Sequence, residues 1–346
     1  MYYFTHLTQP LRKFLFSALL VGLLFSLIQA VPAVNRAAVL DFDGDGKTDY
    51  VVVRSEIPQG NSFKLVWYIK GSQRGDYAQQ WGLDGMALVP ADYDGDGKWD
   101  IAVWSPTPGG NRQAFFYILR SSDNTFQWIA WGTVFDDPLQ TQDFDGDGKA
   151  DPTVVRLEVG TGNLLWYSLL SRTAEARVVQ FGGPDRAIRG DFDGDGRADL
   201  AVYRISNGTE PNYFIILRSS DSQMQFFPFG NAQTDNALPG DFDGDGKTDF
   251  AVARLIDNQI WWFWQESSTR LVRARHFGSG GSSSVDEGIV PGDYDGDGKT
   301  DLAIFRRISF QPPALFFVDG SRDGLFVIPW GYYTNENVPA AYLQVR

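Results

Sequence analysis

Six copies of one nine-residue stretch constrain this chain more than any other feature. The stretch Asp41 to Asp49 reads DFDGDGKTD, and the pattern D-[FY]-D-G-D-G-[KR]-x-D returns at Asp92 to Asp100, Asp143 to Asp151, Asp191 to Asp199, Asp241 to Asp249 and Asp293 to Asp301. The spacing of 51, 51, 48, 50 and 52 residues is that of a repeat architecture, in which each unit buries its apolar faces against its neighbours. Four aspartates at positions 1, 3, 5 and 9 of each stretch crowd like charges together. Such crowding is repulsive unless a cation sits among the carboxylates.

Each unit divides into four short β segments around that stretch. A brief first segment leads into it: AAVL at 37–40, ALVP at 87–90, AIRG at 187–190, ALPG at 237–240 and IVPG at 289–292. A β-branched second segment follows it, reading YVVVR, IAVW, PTVVR, LAVYR, FAVAR and LAIFR. The third carries an aromatic pair: Trp67-Tyr68, Phe116-Tyr117, Trp166-Tyr167, Tyr213-Phe214, Trp261-Trp262 and Phe316-Phe317. The fourth ends in an aromatic residue and glycine, as at Trp81-Gly82, Trp131-Gly132, Phe181-Gly182, Phe229-Gly230, Phe277-Gly278 and Trp330-Gly331. Four antiparallel strands per unit make one blade of a β-propeller, so the expected fold is all-β with six four-stranded blades and the Asp stretch between the first and second strands. Near the C-terminus Val338-Pro339-Ala340-Ala341-Tyr342 copies Val89-Pro90-Ala91-Asp92-Tyr93 without the first aspartate. This is an extra first segment, suited either to latching the ring or to a seventh blade.

The chemistry of the stretch follows position by position. Aspartates at 1, 3 and 5 point carboxylates inward, glycine at 6 allows the bend, the residue at 7 offers its backbone carbonyl, and Asp at 9 closes the site. The candidate ligands are therefore Asp41, Asp43, Asp45, Lys47 and Asp49; Asp92, Asp94, Asp96, Lys98 and Asp100; and Asp143, Asp145, Asp147, Lys149 and Asp151 in the first three units. In the last three they are Asp191, Asp193, Asp195, Arg197 and Asp199; Asp241, Asp243, Asp245, Lys247 and Asp249; and Asp293, Asp295, Asp297, Lys299 and Asp301. An all-oxygen cage without imidazole or thiolate selects a hard cation, and Ca²⁺ tolerates it better than Mg²⁺, which gives about six ions, one per unit. An EF-hand would need a bidentate glutamate at position 12 and flanking helices. Position 12 is instead Val52, Val103, Val154, Val202, Val252 and Ile304, inside the second β segment.

Charge agrees with that assignment. The net charge is −13, and the six stretches hold 24 of the 43 acidic residues, so the acidity belongs to cation sites rather than to a surface for a basic partner or nucleic acid. The chain has no cysteine, hence no disulfide, thiolate site or cysteine nucleophile. Its histidines are His6 and His276, too few for a Ser-His-Asp set.

Residues 1–30 read as an export signal, with Arg12 and Lys13 ahead of the uncharged run Phe14 to Ala30, and residues 31–346 as the propeller. Cleavage after Ala30 or Ala33 leaves no membrane attachment; a retained anchor is the competing reading, since about 17 apolar residues is the short end of a spanning helix.

With the Asp stretch, the aromatic-Gly ending and the unit length together, residues 37–346 resemble the FG-GAP or VCBS-type repeats, similar in their cation loops to the integrin α-subunit propeller. The resemblance implies a calcium-stabilised propeller of six or seven blades in a secreted, periplasmic or cell-surface setting, serving adhesion or ligand binding and carrying no reaction. The partner is expected to be a protein or glycan on the face opposite the Asp stretches, where the loops SEIPQGNSF, SPTPGGNRQ, ISNGTEPN and RISFQPP vary most. A lectin-like propeller is the alternative, and a glycosidase using Asp136 and Asp137 or Asp235 and Asp286 a further one. Arg54, Arg156, Arg204, Arg254 and Arg306 recur at the far end of the second segment, where Asp84, Asp136, Asp137, Asp185, Asp235 and Asp286 offer partners, so ion pairing is expected there. The sequence carries no signal for oligomeric state.

Overall fold

The computed structural model describes residues 38–60, 62–106, 112–208, 210–231, 235–280, 285–308, 313–332 and 336–339. The chain divides into two compact units, Met1–Asn35 and Arg36–Arg346. The first, with the export-signal reading, lies outside the described residues, as do parts of the loops at 61, 107–111, 209 and 309–312.

The named elements among the described residues of the second unit are β-strands, and they form six separate antiparallel sheets of three or four strands, one per repeat. Blade two is Ala87–Leu88, Ile101–Pro106, Gln113–Leu119 and Phe126–Thr133. Blade four is Arg186–Ile188, Leu200–Arg204, Tyr213–Leu217 and Met224–Pro228. Blade five is Asn236–Ala237, Phe250–Ile256, Gln259–Gln265 and Val272–Ser279, and blade six Val285–Ile289, Leu302–Ile308, Leu315–Gly320 and Gly324–Pro329. The expectation of four strands throughout is corrected at blade three, which has Thr153–Leu157, Leu164–Leu169 and Ala176–Gln180. Its first strand is reduced to a single bridge, Asp137 with Val155, and the next amide a longer ladder would use, that of Leu139, turns back to Asp137 Oδ1.

Blade one corrects a second expectation. Residues 38–40 of the expected first segment form a turn rather than its first strand. That place is taken by Glu336–Asn337, which pairs antiparallel with Tyr50–Gln59 in the register Val53 to Asn337 and Arg54 to Glu336. The remaining strands are Ser62–Lys70 and Asp76–Leu83. The strand just ahead of the repeated C-terminal segment therefore lies in blade one and latches the ring at six blades. Val338 follows it into the core, 6% exposed.

Strand composition follows from position in the blade. Second strands are buried on both faces, so they read as continuous apolar runs such as Val51-Val52-Val53, all nearly inaccessible. Third strands alternate, as in Gln113–Leu119 where every other side chain is buried. One member of each aromatic pair is buried at or below 1% exposure: Trp67, Phe116, Trp166, Phe214, Trp262 and Phe316. The aromatic pairs are thus packing elements. The indole Nε1 of Trp81, Trp131 and Trp330 donates across to the next blade, to the carbonyls of Tyr117, Tyr167 and Tyr68. The following glycine is required by both conformation and space. Gly182 has φ 94°, and a Cβ there would lie 2.9 Å from Val202 Cγ1 of blade four.

Candidate metal centres

Each Asp stretch is a closed loop directly ahead of the second strand of its blade. The amide of position 9 donates to the carbonyl just before position 1, as in Asp100 to Ala91 and Asp199 to Gly190, closing the turn. Glycines at positions 4 and 6 hold φ between 75° and 94° in all six loops. Position 6 needs glycine for φ alone, since a Cβ there meets nothing within 4 Å. Position 4 needs it for space as well, because the basic side chain at position 7 of the next blade lies over it: Lys98 over Gly44, Lys149 over Gly95, Arg197 over Gly146, Lys247 over Gly194, Lys299 over Gly244 and Lys47 over Gly296.

The aspartates have distinct duties. The carboxylate at position 1 accepts from the amides of positions 4 and 6, at 2.6 to 2.7 Å and 2.8 to 2.9 Å. Position 5 accepts from the amide of position 7 at 2.9 to 3.0 Å, so Lys47, Lys98, Lys149, Arg197, Lys247 and Lys299 turn tightly in the loop. At position 9, one oxygen accepts from the amide of position 2 at 2.8 to 2.9 Å and the other reaches the hairpin between the third and fourth strands.

That hairpin was missed in the sequence. Ser72, Ser121, Ser171, Ser219, Ser267 and Ser321 each donate a backbone amide to position 9, at 2.6 to 3.2 Å. The same serines donate their hydroxyls to position 5: Asp45, Asp96, Asp147, Asp195, Asp245 and Asp297. The residue after the serine reaches position 3, with Gln73 on Asp43, Ser122 on Asp94, Arg172 on Asp145, Ser220 on Asp193, Ser268 on Asp243 and Arg322 on Asp295. A signal existed. Each serine stands five residues after the buried aromatic of the third strand, a tighter spacing than the repeat itself.

The loops also join one another. The amide at position 8 donates to the carbonyl at position 1 of the preceding loop: Trp99 to Asp41, Ala150 to Asp92, Ala198 to Asp143, Thr248 to Asp191, Thr300 to Asp241, and Thr48 to Asp293 across the seam between blades six and one, all at 2.5 to 2.8 Å. Six bonds of one kind, head to tail, close a ring.

Electrostatics mark the loops as built for positive charge. Carboxylate oxygens of Asp41, Asp43 and Asp49 lie within 4.8 Å of one another, as do those of Asp92, Asp94 and Asp96, of Asp143, Asp145 and Asp151, of Asp191, Asp193 and Asp199, and of Asp241, Asp243 and Asp249. Burial first, then the neighbouring carboxylates, push Asp49, Asp249 and Asp301 up to about 7 against their amide hydrogen bonds. Asp100, Asp151 and Asp199 rise to about 6, also chiefly by burial. Asp43 Oδ1 and Asp295 Oδ1 are buried with no hydrogen-bond partner. Clustered hard oxygen donors and orphaned buried carboxylate oxygens together fit a divalent cation.

On the opposite face the recurrent arginines meet acids of the links between blades. Asp136 accepts from Arg156 at 2.7 and 2.8 Å, Asp185 from Arg204 at 2.8 Å, and Asp235 from Arg254 at 2.6 and 2.7 Å. Arg54 meets Glu336 of the terminal strand at 2.5 Å. Asp84 belongs to the unit in which Ser105 replaces the arginine, and it accepts from the Phe63 amide and the Ser62 hydroxyl instead. Asp137 accepts from the Leu139 amide. The side chain of Asp286 is outside the described residues. His276 bonds the carbonyl of Gly278 and packs 5.6 Å from the Trp261 ring.

The model of the FG-GAP-like repeat matches residues 41–103 and 241–304. The chain carries FG-GAP-like repeats. The matched spans take in the Asp loops at 41–49, 92–100, 241–249 and 293–301, and the two loops outside them, at 143–151 and 191–199, repeat the same hydrogen bonds. The chain is also similar to phosphatidylinositol-glycan-specific phospholipase D of Rattus norvegicus, 34% identical over 109 residues. That match takes in 26% of this chain and spans only 13% of the rat protein. No helix among the described residues is long and apolar enough to cross a membrane.

Proposed function

We propose that this FG-GAP repeat protein is a secreted calcium-binding β-propeller that serves as a rigid adhesion or ligand-binding scaffold, with six structural Ca²⁺ ions and its ligand on the face opposite the Asp loops. The observation that carries this reading is the division of labour between the faces. Loop carboxylates, hairpin serines and the closing ring all converge on one face, where a cation would tie each blade's hairpin to its own loop. When bound, calcium supplies charge neutralisation for the clustered carboxylates. The ligands would be the aspartates at positions 1, 3, 5 and 9 of each loop with the carbonyl at position 7.

The opposite face offers relief for a ligand. Between blades four and five a groove of about 280 Å³ is lined by Pro228, Phe229, Asn231, Arg254, Phe263 and Val272. The Arg254 guanidinium lies over the Phe263 ring at 4.9 Å while bonded to Asp235, so it is fixed rather than mobile. Asp136 and Asp235, which a glycosidase would need as acid or base, are both held by arginines, which favours binding over hydrolysis. The stretch shared with the rat phospholipase is too small a part of that protein to carry its activity to this chain. A second reading, a glycan ligand, is favoured not by the opposite face but by the outer edge of blade two, where Phe126 and Trp128 are exposed at 57% and 58% beside Phe115 and Tyr117. Export rests on the leader reading of residues 1–30.

A screen of glycans and protein surfaces, run with and without calcium, tests this reading. Binding is expected to be lost on substituting the loops opposite the Asp stretches, and chelation is expected to lower the melting temperature. At 10 mM calcium and a dissociation constant of about 10⁻⁴ to 10⁻³ M, each filled site contributes about 1.4 to 2.7 kcal/mol. Turnover of a glycoside, or full binding by the loop variants, would contradict the scaffold reading.

A further inference from the structure

The six loops share a sequence but differ in what their arginines touch. In loop four, Arg197 at position 7 turns back on its own loop: Nε and Nη2 donate to Asp195 Oδ2 at 3.0 and 2.6 Å, and Nη2 reaches the Ser219 carbonyl at 3.0 Å. The other five loops carry lysine there. In loop two, Arg120 Nε donates to Asp94 Oδ2 at 3.2 Å. In loop three, Arg172 Nε stands further off, 3.8 Å from Asp145 Oδ1. In loop five the position 3 carboxylate, Asp243, accepts from Ser268 of the hairpin.

Loops one and six are of another kind. Asp295 is 1% exposed, and its Oδ1 has no hydrogen-bond partner. Asp43 Oδ1 is buried in the same condition. Arg322 comes close to loop six, yet its guanidinium bonds the carbonyl of Asp295 and the carboxylate of Asp323, not a loop carboxylate. These two loops also stand on either side of the seam, where Thr48 donates to Asp293.

We propose that the six cation sites are graded: loops one and six bind calcium first and most tightly, while loop four and then loop two bind it most weakly, because Arg197 and Arg120 already hold a carboxylate the ion needs. This rests on the reading that the loops hold calcium. A divalent ion entering loop four must displace a two-pronged, charge-assisted hydrogen bond and sit beside a guanidinium charge. An ion entering loop six meets Asp295 Oδ1 already desolvated and unpartnered, so no bond to that oxygen is lost. Filling begins in the two loops that the Thr48–Asp293 bond joins.

Calorimetric titration of the full chain with calcium alone tests the grading, with native mass spectrometry counting ions at intermediate calcium. A population holding two ions is expected before any with six. Arg197→Lys is expected to tighten the weakest class roughly tenfold and leave the tightest unchanged. Asp295→Asn is expected to remove a tight ion, and Asp195→Asn a weak one. Six indistinguishable sites unaffected by Arg197→Lys would overturn the grading while leaving calcium binding intact. Absence of any calcium binding by the unaltered chain would instead overturn the reading beneath it. Arg197→Lys places the residue found in the other five loops, so it retains the fold on which the comparison depends.

Discussion

Removing the carboxylate of Glu336 tests whether two residues of terminal strand hold the ring shut. Its side chain is fully buried, and Oε1 accepts from Arg54 Nε and from the Tyr332 amide, both at 2.5 Å. Breaking a buried ion pair from one side costs about 3 to 5 kcal/mol. Arg54 is still 18% exposed, keeps Glu56 at 2.9 Å and lies 4.3 Å from the Tyr68 ring centre, so the lower end applies. Glu336→Ala is expected to lose about 3 kcal/mol, which at about 2 °C per kcal/mol for a chain of this size is a fall of about 6 °C in melting temperature. Glu336→Gln keeps the shape and one acceptor and should lose about 1 kcal/mol. Asp185→Ala breaks the corresponding pair away from the seam, where Arg204 is 48% exposed, and should cost less than Glu336→Ala. Urea unfolding of the three variants, with Arg54→Met completing a double-mutant cycle, measures each difference. A Glu336→Ala protein within 1 °C of the parent, or a coupling of zero with Arg54, would mean that the terminal strand does not hold the seam.

Other expectations concern the loops and blade contacts. Without calcium, the position 9 aspartates are raised from 3.8 to about 6 or 7, so the folded chain binds more protons than the unfolded one. Their contribution to stability is complete below about pH 4 and is lost as pH rises through 6 to 7. The calcium-free protein should therefore melt lower at pH 8 than at pH 5, and saturating calcium should reverse that order; identical order in both states would refute it. Ser219→Ala removes a hydroxyl donor to Asp195 and is expected to cost about 1 kcal/mol in calcium-free denaturation. Gly182→Ala combines φ 94° with a Cβ 2.9 Å from Val202 and should cost about 2 kcal/mol or more, measurable by thermal melting.

Much of the site was legible because its chemistry is local. Nine consecutive residues fix each loop, and valine or isoleucine at position 12 places it between strands. The hairpin serines were not legible in the same way. Ser219 lies 20 residues beyond Asp199, and only the folding of Tyr213–Leu217 onto Leu200–Arg204 brings the two together. The first strand of blade one was hidden for a related reason. Residues 37–40 resemble the other first segments, but pairing register, not resemblance, decides which chain segment lies beside Val53 and Arg54, and that partner is 282 residues away from Arg54. Blade three's first strand stops at one bridge because the Leu139 amide bonds the Asp137 carboxylate rather than the neighbouring strand, a local side-chain bond that no repeat average conveys.

The bond from position 8 of one loop to position 1 of the loop before runs in one direction around all six blades. A contact of that kind is heterologous, and only the rotation per unit decides whether it ends in a closed circle or an open spiral. Each blade is a donor to one neighbour and an acceptor from the other through atoms of the backbone, which substitution of side chains does not remove. The loops on the far side take no part in this circuit. They can lengthen, shorten or change composition while the circle of amides and carbonyls stays whole, so the architecture separates what sets its shape from what is left open to change.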